Sequence, residues 1–113
     1  MVAKRRSSLT KPRIPRSTRA RALNGRKVKS MMAQVPGWNV VRSHRIARKF
    51  EFPDFRSALK FVVEIGEIAE AQGHHPDIQL GWGKVQATTW THDVQGLSES
   101  DFLLAAKIDA IPH

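Results

Sequence analysis

The chain has 113 residues, no cysteine, three tryptophans and a formal net charge of +9. That length holds one small domain, which buries about 60–65% of the surface its unfolded chain exposes, so association between copies would help it. Without cysteine, disulfides, thiolate zinc sites and a cysteine nucleophile are excluded; no apolar run approaches the roughly 20 residues that cross a bilayer or supplies the core of a secretory signal.

The charge is unevenly placed. Residues 1–49 carry fifteen of the nineteen Lys and Arg and no acid, whereas residues 51–113 set four basic residues against all ten acids. Residues 1–23 are rich in Arg, contain two prolines and have few large apolar side chains. Such a segment buries too little surface to offset its ordering entropy and reads as a disordered arm. Its Ser/Thr content and lack of acids also fit an organelle targeting segment. Any sequence-blind contact with nucleic acid or an anionic surface attaches to this arm. The folded domain is expected over residues 24–113, in the cytoplasm or, if the arm directs import, in an organelle.

Val28, Met31, Met32 and Val35 recur at i, i+3, i+4, i+7 and predict a short helix, stopped by Pro36-Gly37. Two strand-like runs follow, Trp38–Val41 and Arg45–Phe52. In the second, Ile46, Phe50 and Phe52 share a face, with Arg48 breaking the alternation. Asp54 is a fitting N-cap for a helix over Phe55–Gln72. Phe55, Leu59, Val62, Gly66 and Ala69 trace one stripe on it, which Ala58, Phe61, Ile65 and Ile68 widen into a broad buried face. Gly73 stands where a left-handed cap is wanted, and turns the chain into His74-His75-Pro76.

Ile78, Leu80 and Trp82 alternate in a third strand, with Trp82 expected in the core. Val85–His92 forms the fourth, with Gln86, Thr88, Trp90 and His92 on one face. Ser98-Glu99-Ser100-Asp101 is a capping-box signature opening a helix through Ile108. The order helix, two strands, helix, two strands, helix predicts an α+β fold: a four-stranded antiparallel sheet with three helices on one face, in two layers.

His44 lies in an expected turn and His113 is the last residue, so both read as solvent-exposed. His74 and His75 stand at a helix-to-strand junction, and His92 at a strand end. An unperturbed pKa near 6.5 lets imidazole give or take a proton at neutral pH, and two or three converging on a pocket supply both acid and base. A lone loop histidine is nevertheless more often a surface or hydrogen-bonded structural residue. Imidazoles with Asp101 are also compatible with zinc or iron, but a His-x-x-x-His or similar spacing is missing.

The residues Glu70, His74-His75-Pro76, Trp82, His92 and Asp101, at these gaps, resemble the signature of the pterin-4a-carbinolamine dehydratase family. Pro36-Gly37-Trp38, Trp90-Thr91-His92-Asp93 and Gly96-Leu97-Ser98 are similar to it as well, and the likeness covers residues 25–110. Gly73 departs from it, since an acidic residue often stands there. The resemblance implies loss of water from a 4a-hydroxytetrahydropterin to give the quinonoid dihydropterin, without metal or cofactor. It implies His74, His75, His92 and Asp101 as catalytic residues, with His74 and His92 moving protons, His75 chiefly orienting the pterin and Asp101 orienting a histidine. Substrate contacts are implied for Gly73, His74, His75, Trp90, Thr91, His92 and Asp93. It further implies a homodimer or homotetramer. Animal members of the family also serve as dimerisation cofactors of a homeodomain transcription factor, which keeps a binding role open beside catalysis.

Overall fold

A computed structural model describes residues 22–113. The arm read over residues 1–23 lies outside the described residues except for Ala22 and Leu23. Leu23 is held by the fold, its backbone N–H donating to the Leu97 carbonyl at 2.8 Å while its side chain packs on the core.

Helix α1 (Gly25–Met32) is opened by Asn24, whose side-chain oxygen accepts the Lys27 N–H at 2.8 Å. Val28, Met31 and Met32 pack on the core, as the spacing predicts. The helix ends at Met32, so Val35 reaches the core from the following turn instead. Strands β1 (Asn39–Val41), β2 (Arg45–Glu51), β3 (Asp77–Gly81) and β4 (Lys84–Thr89) form one antiparallel sheet in the order β1-β2-β4-β3. Helix α2 (Phe55–Gln72) carries the chain from β2 to β3, and helix α3 (Glu99–Asp109) ends the fold. The three helices and the sheet make the two-layer α+β architecture read from the sequence.

The core lies between the layers. Ile46 and Phe50 of β2 stand opposite Thr89 and Val85 of β4, and Ala87 completes the row. Ala58, Phe61 and Ile65 of α2 and Leu104, Ala105 and Ile108 of α3 close over them. Arg48, on the same face as Ile46 and Phe50, is accommodated by pairing. Its guanidinium meets Asp109 at 2.9 Å and lies over the Phe50 ring at 4.5 Å. Asp109 also accepts the Trp38 indole N–H at 2.9 Å. Gly37 makes room for this cation, since a β-carbon there would lie 2.7 Å from the guanidinium carbon.

Helix α2 has the expected bounds. Asp54 accepts the Ser57 N–H at 2.7 Å at one end, and Gly73 adopts φ 71° at the other. Its buried face lies within the predicted one but is narrower. Ala58, Phe61, Ile65 and Ala69 face inward, while Phe55 and Leu59 are exposed together with Val63. The helix is apolar around more of its circumference than the sheet and α3 cover. Trp82, expected in the core, is 70% exposed. It sits past the last β3–β4 pair, Gly81 with Lys84, and therefore projects from the hairpin tip.

Strand β4 stops at Thr89 instead of running to His92. Thr91 and Gly96 bond to each other across a small closed loop, with N–H to carbonyl distances of 2.8 and 3.3 Å. Within it His92–Val94 forms a 3-10 turn that ends at Gln95 with φ 49°. His92 therefore leaves the sheet face it would share with Gln86 and Thr88. No helix of the described residues is long and apolar enough to cross a membrane.

Candidate active site

Gly73 determines how two histidines are presented. Its left-handed backbone, φ 71° and ψ 28°, turns the chain off α2, and the N–H groups of Gly73 and His74 both return to the Ala69 carbonyl, at 2.8 and 3.2 Å. An L-residue with a β-carbon adopts that conformation only at a cost. The next two imidazoles are each tied to a carboxylate through Nε2. His74 reaches Asp101 of α3 at 2.6 Å, and His75 reaches Glu70 of α2 at 2.5 Å.

The two pairs sit in different surroundings. Asp101 is wholly buried and the His74 side chain is 16% exposed, whereas His75 and Glu70 are 59% and 76% exposed. An exposed pair is weak, about 0–1 kcal/mol, and is screened by salt. A buried, charge-assisted hydrogen bond is stronger and holds its geometry.

Asp101 collects four donors. Oδ1 accepts from His74 Nε2 and from the Thr89 hydroxyl, both at 2.6 Å. Oδ2 accepts from the Thr91 hydroxyl at 2.7 Å and the Ser98 backbone N–H at 3.0 Å. Four donors match the acceptor capacity of an ionised carboxylate, which has no proton to give. His74 is therefore the donor in its bond, which directs its other nitrogen, Nδ1, away from Asp101. Among the described residues Nδ1 has no hydrogen-bond partner, so it is available to give or take a proton. The Ser98–Asp101 capping box is also formed. Asp101 thus caps α3 and orients His74 with the same carboxylate.

Thr91 links this hub to the loop that carries His92. Its single hydroxyl proton goes to Asp101, so Ser98 Oγ is the donor in the 2.6 Å contact between the two hydroxyls. The exposed His92 packs against the half-buried Trp90, with ring centroids 4.6 Å apart. The Arg45 guanidinium lies over Trp90 at 4.1 Å. Asp93 is exposed in the 3-10 turn.

His74, Thr91 and Asp101 are thus joined directly, His92 and Trp90 form a second group next to them in sequence, and His75 stands outward with Glu70. His44 is half-buried, donating from Nδ1 to the Arg42 carbonyl at 2.6 Å and accepting from Arg45 at 3.2 Å. His113 is exposed overall, yet its ring packs on Phe50 and Phe61 at 5.0 and 5.7 Å. Among the described residues no group of three or more His, Cys, Asp or Glu is arranged to hold a metal ion. Thr89 and Arg45 contribute to the site without belonging to the motif. Thr89 is a hydroxyl in the inward register of β4, after Val85 and Ala87, where strand propensity alone accounts for a threonine.

The family model described as pterin 4 alpha carbinolamine dehydratase matches residues 21–111. The chain belongs to that family. Among the family's curated members, a Rubrobacter xylanophilus protein named a candidate pterin-4-alpha-carbinolamine dehydratase is 49% identical over 89 residues, covering 79% of this chain and 83% of its own. A similarly named protein of Alkaliphilus metalliredigens is 44% identical over 97 residues, 85% of this chain and 87% of its own. The crystal structure of a transcriptional coactivator/pterin dehydratase from Brucella melitensis superposes with a TM-score of 0.77 at 30% identity, covering 81% of this chain and 99% of the other. A pterin dehydratase-like RuBisCO assembly factor of the α-carboxysome, at 22% identity and a TM-score of 0.57, shares the fold.

Proposed function

We propose that this dehydratase-family chain removes water from 4a-hydroxytetrahydropterin, giving the quinonoid dihydropterin and so supporting tetrahydrobiopterin recycling. The observation that carries the reading is the His74 imidazole, fixed through Nε2 by a buried carboxylate and presenting Nδ1 as a proton-transfer group. In the reaction the N5 lone pair assists departure of the 4a oxygen, which takes a proton as the C4a–O bond breaks; the N5 proton then leaves. One acid and one base of near-neutral pKa meet that demand, and each general acid–base step is typically worth about 10²–10⁴-fold.

His74 and His92 are the proton-transfer pair in this reading, and His75, held by Glu70, orients the pterin. Trp90 sits between Arg45 and His92 contacts, so its part is to support His92 more than to offer a bare stacking face. Neither metal nor cofactor is required by this chemistry. A homo-oligomer, dimer or tetramer, is supported by the apolar side chains that α2 leaves outward, Phe55, Leu59 and Val63. Their spacing of four residues puts them on one side of the helix, and a contiguous apolar surface is what an association site uses.

The direct test is turnover. Purified protein is mixed with a freshly generated 4a-hydroxytetrahydropterin, and dehydration is followed by absorbance against the spontaneous reaction. Acceleration proportional to protein concentration supports the reading, and a rate equal to the spontaneous one refutes it.

A further inference from the structure

Thr89 stands outside the motif residues and is not reached by their chemistry. It is the last residue of β4, paired with Ile46 of β2, and has no exposed surface. Val85 and Ala87, on the same face, are plain core residues, and valine would match the shape of Thr89 without bringing a polar atom into the interior. A hydroxyl buried there costs free energy unless it is bonded. It is bonded, at 2.6 Å, to Asp101 Oδ1.

That oxygen is the informative part. The capping box uses Oδ2, where the Ser98 N–H binds. Helix stability therefore gives no reason for a donor on Oδ1, which is the oxygen that holds the His74 Nε2 proton. Two donors share one acceptor at equal distance, and one of them belongs to the proposed proton-transfer group.

We propose that the Thr89 hydroxyl is a positioning group that sets the proton affinity of His74 by sharing Asp101 Oδ1 with it. The inference rests on the reading of His74 given under the proposed function. While the imidazole is neutral, only hydrogen-bond donors balance the charge of the buried carboxylate. Once the imidazole is protonated, a full positive charge lies beside it. Each donor on Asp101 therefore stabilises the neutral-imidazole state more than the imidazolium state. Thr89 lowers the proton affinity of His74, keeping Nδ1 available as a base at a lower pH.

The elements that meet at His74 bring other titratable groups: Glu70 and His75, Asp77, His92 and Asp93, Glu99 and Asp101. Of these, Asp101 alone contacts the His74 imidazole among the described residues. All are unchanged by a substitution at Thr89, so a difference between variants isolates the hydroxyl.

The test uses the full chain with Thr89→Val, which removes the hydroxyl and keeps the shape, and Thr89→Ser, which keeps the hydroxyl. The His74 titration is read from its imidazole proton resonance, and kcat and KM for dehydration are measured across pH. In Thr89→Val the His74 midpoint rises, while Thr89→Ser stays near wild type. The limb of the kcat profile that reports His74 moves by the same amount, and KM away from that limb changes by less than about twofold, because Thr89 touches no substrate. An unmoved midpoint in Thr89→Val, or an equal shift in Thr89→Ser, overturns the proposal. Should Thr89→Val not fold, Thr89→Ala removes the same hydroxyl and is read in the same way. The two readings separate cleanly. A shifted midpoint in a protein without dehydratase activity retains the Thr89 coupling and removes the dehydratase reading; full activity with no shift does the reverse.

Discussion

Replacing Asp101 by Asn tests whether the four-donor hub is as tightly made as its distances indicate. Asn keeps the shape and one carbonyl oxygen, but it turns the second oxygen into an NH2 group. Whichever way the amide is turned, two donors lose their acceptor: His74 Nε2–H and the Thr89 hydroxyl, or the Thr91 hydroxyl and the Ser98 N–H. Hydrogen bonds to a charged group contribute about 1.5–3 kcal/mol each, so the loss is about 3–6 kcal/mol. A domain of this size has about 5–15 kcal/mol in total, so the loss takes a large share of its stability. At roughly 4–8 °C per kcal/mol, Tm falls by at least about 12 °C. Thermal unfolding followed by circular dichroism at neutral pH reads this, and the downfield resonance of the His74 Nε2 proton, held at 2.6 Å in the wild type, reports which of the two pairs has lost its acceptor. A Tm within about 4 °C of wild type, with that resonance intact, would refute the hub.

Three further outcomes follow from other parts of the structure. Gly73→Ala places a β-carbon at φ 71° and is expected to cost about 1–2 kcal/mol; chemical denaturation reads it, and Gly73→Asn, which tolerates this region better, loses less. The Asp54 carboxyl is held below its ordinary value of 3.8, first by the Ser57 backbone N–H and then by the Ser57 hydroxyl. A lowered folded-state pKa gives stability that is present above the unfolded value and lost as pH falls through the folded one. The Tm difference between wild type and Asp54→Ala is therefore full at neutral pH and closes as the pH drops through 3.8 and below. Leu59→Lys with Val63→Lys puts two charges on the outward face of α2, where both positions are exposed; sedimentation velocity then shows a smaller species than wild type, with unchanged circular dichroism.

What the sequence made legible was what local chemistry decides. The ends of α2 are written in Asp54 and Gly73, each acting on backbone groups within a few residues, and both ends fall where they were expected. The capping box at Ser98–Asp101 is equally local. Apolar patterning was less informative where a helix is apolar on more than one side. Phe55 and Leu59 look as buried as Phe61 in the sequence, and only the packing of the sheet and α3 separates them. Trp82 was misplaced because alternation continues on paper past the point where pairing stops at Gly81.

The site divides in the same way. Gly73 presents His74 and His75 through a local turn, which spacing alone suggested. The partner of His74 lies 27 residues away in sequence, and the Arg48–Asp109 pair spans 61. Contacts of that range leave no periodic trace. Thr89 shows the limit most clearly, since a threonine fits a strand on propensity alone and its role depends on where α3 places Asp101.

The central claim, that His74 and His92 move the protons of the dehydration, is tested most directly by the rate of the His74→Ala/His92→Ala double variant. Stopped-flow dehydration of 4a-hydroxytetrahydropterin is compared with wild type and with each single variant. Each single substitution is expected to lower kcat by about 10²–10⁴-fold, and the double variant to approach the spontaneous rate while remaining folded. A folded double variant with full activity would contradict the assignment.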